Sequence, residues 1–408
     1  MNALAARELP GRGTIGSRIG SFLRWLDGYG CDSYDPYDLW STAAGRLARK
    51  TYYAHKLLGA PMVAPIMAAD ALVPGIRRWV SPKRRYPIAD AHVILGSLEW
   101  ERQTGGKEER NRAVRMGGEL LAQSIPGFSG HCWGFPFEWE SSRGLIRKGT
   151  PLITTTPYCF EAFLALGDAT GEPAYYDVAR SAAEFASRDL NETALEGDAA
   201  ACSYTPLDRS RVVNASGYRA MMLLEASARF NRPAMREQAV RNIAFVLQSQ
   251  REDGSWLYEP ESANNAFVDN MHTCFTLKNL LKANRHLQDD RVEQAIRKGY
   301  EYYLRHLLSG DGSPKPFAEV RRFQPVRLDG YDVAEGIVLG VLMGDRYPGA
   351  LDVARRLFAV ADERLWLDEG YFAAKIPFMG PRIRIPYLRW PLAQMFHAMT
   401  LLHGSLSE

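Results

Sequence analysis

The sequence has little that would build a cross-linked or metal-bound scaffold. Its five cysteines, Cys31, Cys132, Cys159, Cys202 and Cys274, are odd in number and scattered, with no CxxC pair among them. That pattern argues against a disulfide framework and a zinc cluster, so a reducing, cytoplasmic setting is expected. No HExxH or comparable ligand spacing occurs, and neither a metal nor another cofactor is expected. The run "DSYDPYD" resembles a calcium loop in its acids but lacks the central glycine and distal glutamate; Asp38 reads better as a helix cap.

An excess of one charge is also missing. The 50 Lys and Arg nearly balance the 47 Asp and Glu, leaving +3, and no basic block is long enough to track phosphates. Nucleic acid is therefore not an expected partner. The first twenty residues hold no continuous apolar stretch of the secretory type. The most apolar run, residues 57 to 76, carries three prolines and Asp70, too interrupted for a bilayer helix, and is expected to face the core. Arg18, Arg24 and "SFLRWL" form the amphipathic segment best suited to a membrane surface. Alternating strand patterns are scarce too, which argues against a large β domain and leaves only short hairpins for the loops.

What the chain does have is length, apolar content and repetition. Its 408 residues are 46% hydrophobic and 24% charged, enough for a large core. Five segments run from a polar or Pro/Tyr start into a small-residue, apolar helix: "TPYCFEAFLALGDATG", "NASGYRAMMLLEASARF", "DNMHTCFTLKNLLKANRHL", "DGYDVAEGIVLGVLMGD" and "IPYLRWPLAQMFHAMTLL". Their starts, at 156, 214, 269, 329 and 385, recur every 55 to 60 residues, and "ADAHVILGSLEWERQTG" from 89 makes a sixth. Each but the last is followed by a more polar helix with one buried stripe, as in "PAMREQAVRNIAFVLQSQ".

Six hairpins of a buried and a half-exposed helix predict an all-α protein, an (α/α)6 toroid. The last inner helix lacks a following partner, and the simplest closure pairs it with helix from residues 38 to 78. Residues 1–33 then form an N-terminal extension and 34–408 a single toroid domain. Turns from inner to outer helix are short and the returns long, which gathers the unusual loops at one mouth, where inner helices begin. Helix N-termini there favour anionic groups.

The densest of these loops is "HCWGFPFEW", residues 131 to 139. Trp133, Phe135, Phe137 and Trp139 can stack on sugar rings or pack as a lid, with Gly134 and Pro136 fixing the loop. Trp133 and Glu138 are expected to meet a ligand. Together with "DSYDPYDLW", "NASGY", "DNMHT" and the terminal "IPYLRWPLAQMFHAMTLL", this loop resembles an uncharacterised family found with exopolysaccharide-biosynthesis genes. The resemblance, spanning the chain from residue 32, implies a toroid that makes or trims a polysaccharide, with other synthesis proteins as possible partners; it supplies no catalytic residues. "RNIAFVLQSQREDGSW" is similar to the Gln/Trp repeat of terpenoid cyclases, but Gln250, Gly254 and Trp256 form a single copy without an acid motif and read as a structural corner. Trp256 is retained as a candidate binding residue.

Residue chemistry supplies the remaining candidates. Asp269 caps the helix of "DNMHT", and His272 in its first turn is placed to act as a base. Asp332 and Glu335 lie three apart beside Tyr331, a spacing suited to separated acid and base roles or to ordinary helix-end stabilisation. Tyr158, Tyr218, Tyr331 and Tyr387 gather at helix starts as acids or sugar hydrogen bonders, and Arg219, Arg327 and Arg389 could grip a uronate. Arg389 could equally close a salt bridge to Asp38. His131 completes the binding set. These residues support an acid/base carbohydrate-active enzyme: a hydrolase with Glu138 opposing Asp332, or a lyase or epimerase with Tyr or His and Arg389. The alternatives are a non-catalytic glycan-binding component and an isoprenoid-processing toroid.

Overall fold

The computed structural model describes residues 9–262, 266–318 and 325–407. Five helices precede the repeats: α1 (Arg12–Tyr29), α2 (Asp38–Ser41), α3 (Ala43–Ala54), α4 (Lys56–Leu72) and α5 (Arg77–Val80). The hairpins follow as α6 (Pro87–Thr104) with α7 (Lys107–Ala122), α8 (Thr156–Thr170) with α9 (Pro173–Arg188), and α10 (Val213–Phe230) with α11 (Pro233–Gln248). They continue as α12 (Asn270–Leu287) with α13 (Asp290–Tyr302) and α14 (Gly330–Met343) with α15 (Ala350–Arg364), and end in α16 (Ala393–Gly404), which no helix follows among the described residues.

Local chemistry sets these boundaries. Pro87, Pro157, Pro173 and Pro233 occupy first turns, where a missing N–H costs nothing. Asp269 caps α12, its carboxylate accepting from the His272 N–H at 2.9 Å, and Gly105 and Gly171 end α6 and α8 in the left-handed region. The even-numbered helices from α6 to α16 pack side by side and close as a ring where α16 meets α6. Closure needs Gly96, because a Cβ there would stand 2.6 Å from the Phe396 ring. The fold is the expected all-α toroid of six helical hairpins.

Two expectations fail at the N-terminus. The outer partner of α16 is α1, which buries Ile15, Ile19, Phe22, Leu23 and Leu26 in the common core, so residues 12–29 are no extension beside it. The amphipathic face around "SFLRWL" is spent on that packing, and Arg18 pairs with Asp362 at 2.5 Å. Residues 38–78, expected to close the ring, instead run along the mouth within α2–α5, and α4 is largely exposed rather than core-facing.

The long returns hold three small antiparallel pairs: β1 (Trp139–Ser141) with β2 (Gly144–Ile146), β3 (Glu192–Ala194) with β4 (Ala200–Cys202), and β5 (Val326–Asp329) with β6 (Lys375–Pro377). The inner helix expected from 385 begins regular α-helix only at 393, after a kink at Trp390 beside Pro391. Residues 263–265 and 319–324, parts of two loops expected at the mouth, lie outside the described residues.

Candidate functional site

At the mouth lies a cleft of about 330 Å³. Inner-helix starts supply Asn214, Tyr218, Met271, His272, Phe275 and Tyr331, and the kink before α16 supplies Arg389 and Trp390. Loops add Tyr37, Phe135, Trp139, Arg143, Tyr204, Tyr258 and Phe267, and α3 and α4 contribute Tyr52, Tyr53 and Lys56. Aromatic rings dominate the walls. Three cations reach the cleft, and among the described residues no carboxylate lines it.

His272 is its best-placed base. Its side chain is 25% exposed, and Nδ1 stands 2.6 Å from the Asp269 carboxylate, which also holds the backbone of the same turn. A carboxylate at Nδ1 keeps the proton of the neutral ring there and leaves Nε2 its lone pair, the orientation a general base requires. Tyr258 at 4.4 Å, Phe275 at 5.7 Å and Phe267 at 6.1 Å between ring centroids fence the imidazole.

The phenols are set for the opposite role. Burial raises the Tyr218 and Tyr331 pKa values well above the ordinary range, with the Glu335 charge adding to it, so both keep their protons as donors or acids. Tyr158 does not line the cleft but holds Tyr218 through a 2.7 Å hydroxyl contact. Arg389 meets Asp35, with contacts of 2.5 and 2.8 Å, rather than Asp38; Asp38 instead accepts from Ser81 and Arg84.

Four polar atoms in this wall have no hydrogen-bond partner among the described residues: Trp139 Nε1, Trp390 Nε1, Thr155 Oγ1 and Asn214 Oδ1. Each of these atoms is itself buried, so they lie within the wall, where an unsatisfied polar group is costly, and not on its open surface.

Several candidates lie elsewhere. Trp133 is 0% exposed: its indole N–H donates to the Leu120 carbonyl and its ring stacks near Phe163, so it belongs to the core. Bends at Pro136 and Phe137 bury Phe137 as well, leaving Phe135 and Trp139 to face the cleft. His131 packs against Trp133 and contacts Ser124, and Glu138 pairs with Arg46 at 3.5 Å; neither lines the cleft. Asp332 is buried behind it with Oδ1 unpartnered, and Glu335 is tied to Lys278 in the ring interior. Tyr387 lies under the Arg77 guanidinium, Arg219 is buried against Glu192, and Arg327 stacks on Phe378. Trp256 sits in the corner read from the sequence: its indole donates to Val246, while Gln250 donates to Gly254 and Ala295.

Asn214 and Trp390 lie within the helix starts "NASGY" and "IPYLRWPLAQMFHAMTLL", and Tyr258 just past Trp256, without standing out as site residues. Nothing in their spacing separates them from core neighbours. Tyr52, Tyr53 and Lys56 had no signal at all, because they reach the cleft only through the path of α3 and α4.

No family model matches the chain, and no curated protein sequence matches it. Solved structures do resemble it. An unsaturated glucuronyl hydrolase specific for heparin is 10% identical with a TM-score of 0.63, over 97% of this chain and 96% of its own. A cellobiose 2-epimerase from Bacillus thermoamylovorans is 11% identical at 0.62, over 79% and 87%. A polysaccharide lyase is 11% identical at 0.55, over 78% and 89%. At such identities the likeness establishes the fold, the α/α toroid, which carries hydrolase, epimerase and lyase chemistry in these three proteins.

Proposed function

We propose that this chain is a carbohydrate-active enzyme that binds an acidic glycan in the cleft and abstracts a proton from a ring carbon beside its carboxylate. The observation that carries the reading is His272, oriented by Asp269 and facing an aromatic, cationic cleft that no described carboxylate lines. A hydrolase would need two opposed carboxylates, and the pair expected for it, Glu138 and Asp332, stands outside the lining.

In the proposed reaction His272 Nε2 takes the proton, and the electron pair left on carbon is delocalised into the sugar carboxylate, whose charge Arg389, Arg143 and Lys56 offset. A protonated tyrosine, Tyr331 or Tyr218, then returns a proton to the opposite face of the carbon, inverting it. Alternatively it protonates the departing glycosidic oxygen as a carbon–carbon double bond forms. The sequence resemblance to an exopolysaccharide-associated family favours an exopolysaccharide or its precursor as the glycan.

The test is incubation of the purified protein with uronic-acid oligosaccharides in heavy water, followed by mass spectrometry. One non-exchangeable deuterium in an intact chain identifies an epimerase, and an unsaturated fragment a lyase. Cleavage with addition of solvent would overturn the mechanism, and binding without any change would favour the non-catalytic reading. His272→Gln should lower turnover by roughly 10²–10⁴-fold while leaving glycan binding nearly intact.

A further inference from the structure

Helix α4 is apolar except for Lys56 and Asp70, yet Gly59 is the only one of its 17 residues that is buried. That glycine seats α4 against α3 by backbone contact, since a Cβ there would fall 2.1 Å from Tyr52 Cα. Leu57, 91% exposed, Leu58, Met67 and Leu72 are left outside, and the surface continues through Ile76 to Trp79, 89% exposed. Exposed Phe378 and Met379 extend it, because neighbouring Gly380 abuts Ala71 and Leu72. Apolar surface on this scale marks a site of interaction.

Charge identifies the occupant. Between residues 43 and 86 the chain carries nine Lys and Arg; Arg46, Arg77, Arg84 and Arg85 pair with Glu138, Asp70, Asp38 and Asp90, which leaves Arg49, Lys50, Lys56, Arg78 and Lys83 in excess although the whole chain is only +3. Asp70 is itself engaged by Arg77 and Lys375. Lys50, Lys56, Arg78 and Lys83 are exposed around the apolar face. An apolar helix ringed by unopposed cations, with a tryptophan at its end, matches the interfacial layer of an anionic bilayer. Among the described residues no single helix is long and apolar enough to cross a membrane, and the segment turns by 99° between Leu72 and Pro74. That geometry suits a helix lying in the surface plane.

We propose that the α3–α5 face docks on an anionic lipid surface with α4 in the interface. Tyr52, Tyr53 and Lys56 belong both to this hairpin and to the cleft wall, so docking brings the cleft beside the headgroups. The proposal does not depend on the cleft's chemistry.

The full chain is sedimented with vesicles of phosphatidylcholine containing about one-third phosphatidylglycerol, and with phosphatidylcholine alone. Binding is expected to the anionic vesicles, weakened by salt, and reduced roughly tenfold or more by Leu57→Glu with Leu58→Glu and by Trp79→Ser. These side chains are exposed, so circular dichroism and the thermal midpoint should be unchanged. No binding to the anionic vesicles overturns the proposal, as does wild-type binding by both variants. A dimer in lipid-free solution that Leu57→Glu with Leu58→Glu dissociates would assign the face to a second copy instead.

Discussion

Removing the charge of Asp35 tests how the cleft is built. Arg389 is 5% exposed and Asp35 0%, and their two contacts of 2.5 and 2.8 Å form a two-pronged pair. The guanidinium also lies 4.6 Å from the Phe135 ring and 5.0 Å from the Trp390 ring, both cleft walls. In Asp35→Asn the amide can still accept from the Tyr37 N–H, as the carboxylate does at 2.8 Å, but Arg389 loses its counter-charge where water cannot replace it. Breaking such a buried pair from one side costs about 3–5 kcal/mol. Arg389→Met should cost a similar amount by stranding Asp35, whereas the double variant removes both charges and should cost about 2–3 kcal/mol less than the sum. Urea denaturation of the four proteins measures this coupling. Single effects that add to within about 0.5 kcal/mol would show that the pair does not act as a buried unit and would refute the reasoning.

Two further outcomes follow from buried groups. Burial first, then the charges of Asp329, Asp269 and Glu335, raise the Asp332 pKa well above the carboxylate range. The folded state therefore resists ionisation, a penalty absent below the ordinary aspartate range and growing as pH rises above it. Asp332→Asn should melt above wild type near pH 8 and converge with it near pH 4; a constant difference across pH would contradict this. Gly134→Ala would place a Cβ 2.0 Å from the Thr150 carbonyl oxygen, so it should destabilise by about 1–3 kcal/mol and weaken glycan binding through displaced Phe135, read by calorimetry and titration.

The repeat was legible because each inner helix must be apolar on every side and each outer helix on one, and that contrast recurs with the hairpin. The mouth was legible for a related reason: short inner-to-outer turns leave the long loops nowhere else to go. Ring closure was not. The expected closure gave the last position to the segment from 38 to 78 and left residues 1–33 as an extension, because the buried stripe Ile15, Ile19, Phe22 and Leu26 has the same spacing whether it meets a core or a membrane.

The site divides along the same line. His272 and Asp269 could be found because capping and catalytic orientation are both local, needing residues three apart on one turn. Asp332 and Glu335 share that spacing, yet their helix turns them into the interior, where Lys278 takes Glu335. Rotation of a helix about its axis is fixed by packing, which a single sequence does not carry when the helix is apolar all round. In the aromatic loop the same gap separates Trp133 from Trp139: both are tryptophans of one nine-residue stretch, and the Leu120 carbonyl and the Phe163 ring that meet Trp133 in the core come from other parts of the chain. Helix α4 inverts the lesson. Its apolarity implied burial, but its prolines, its single packing glycine and its flanking cations describe a helix covered by something other than this chain's core.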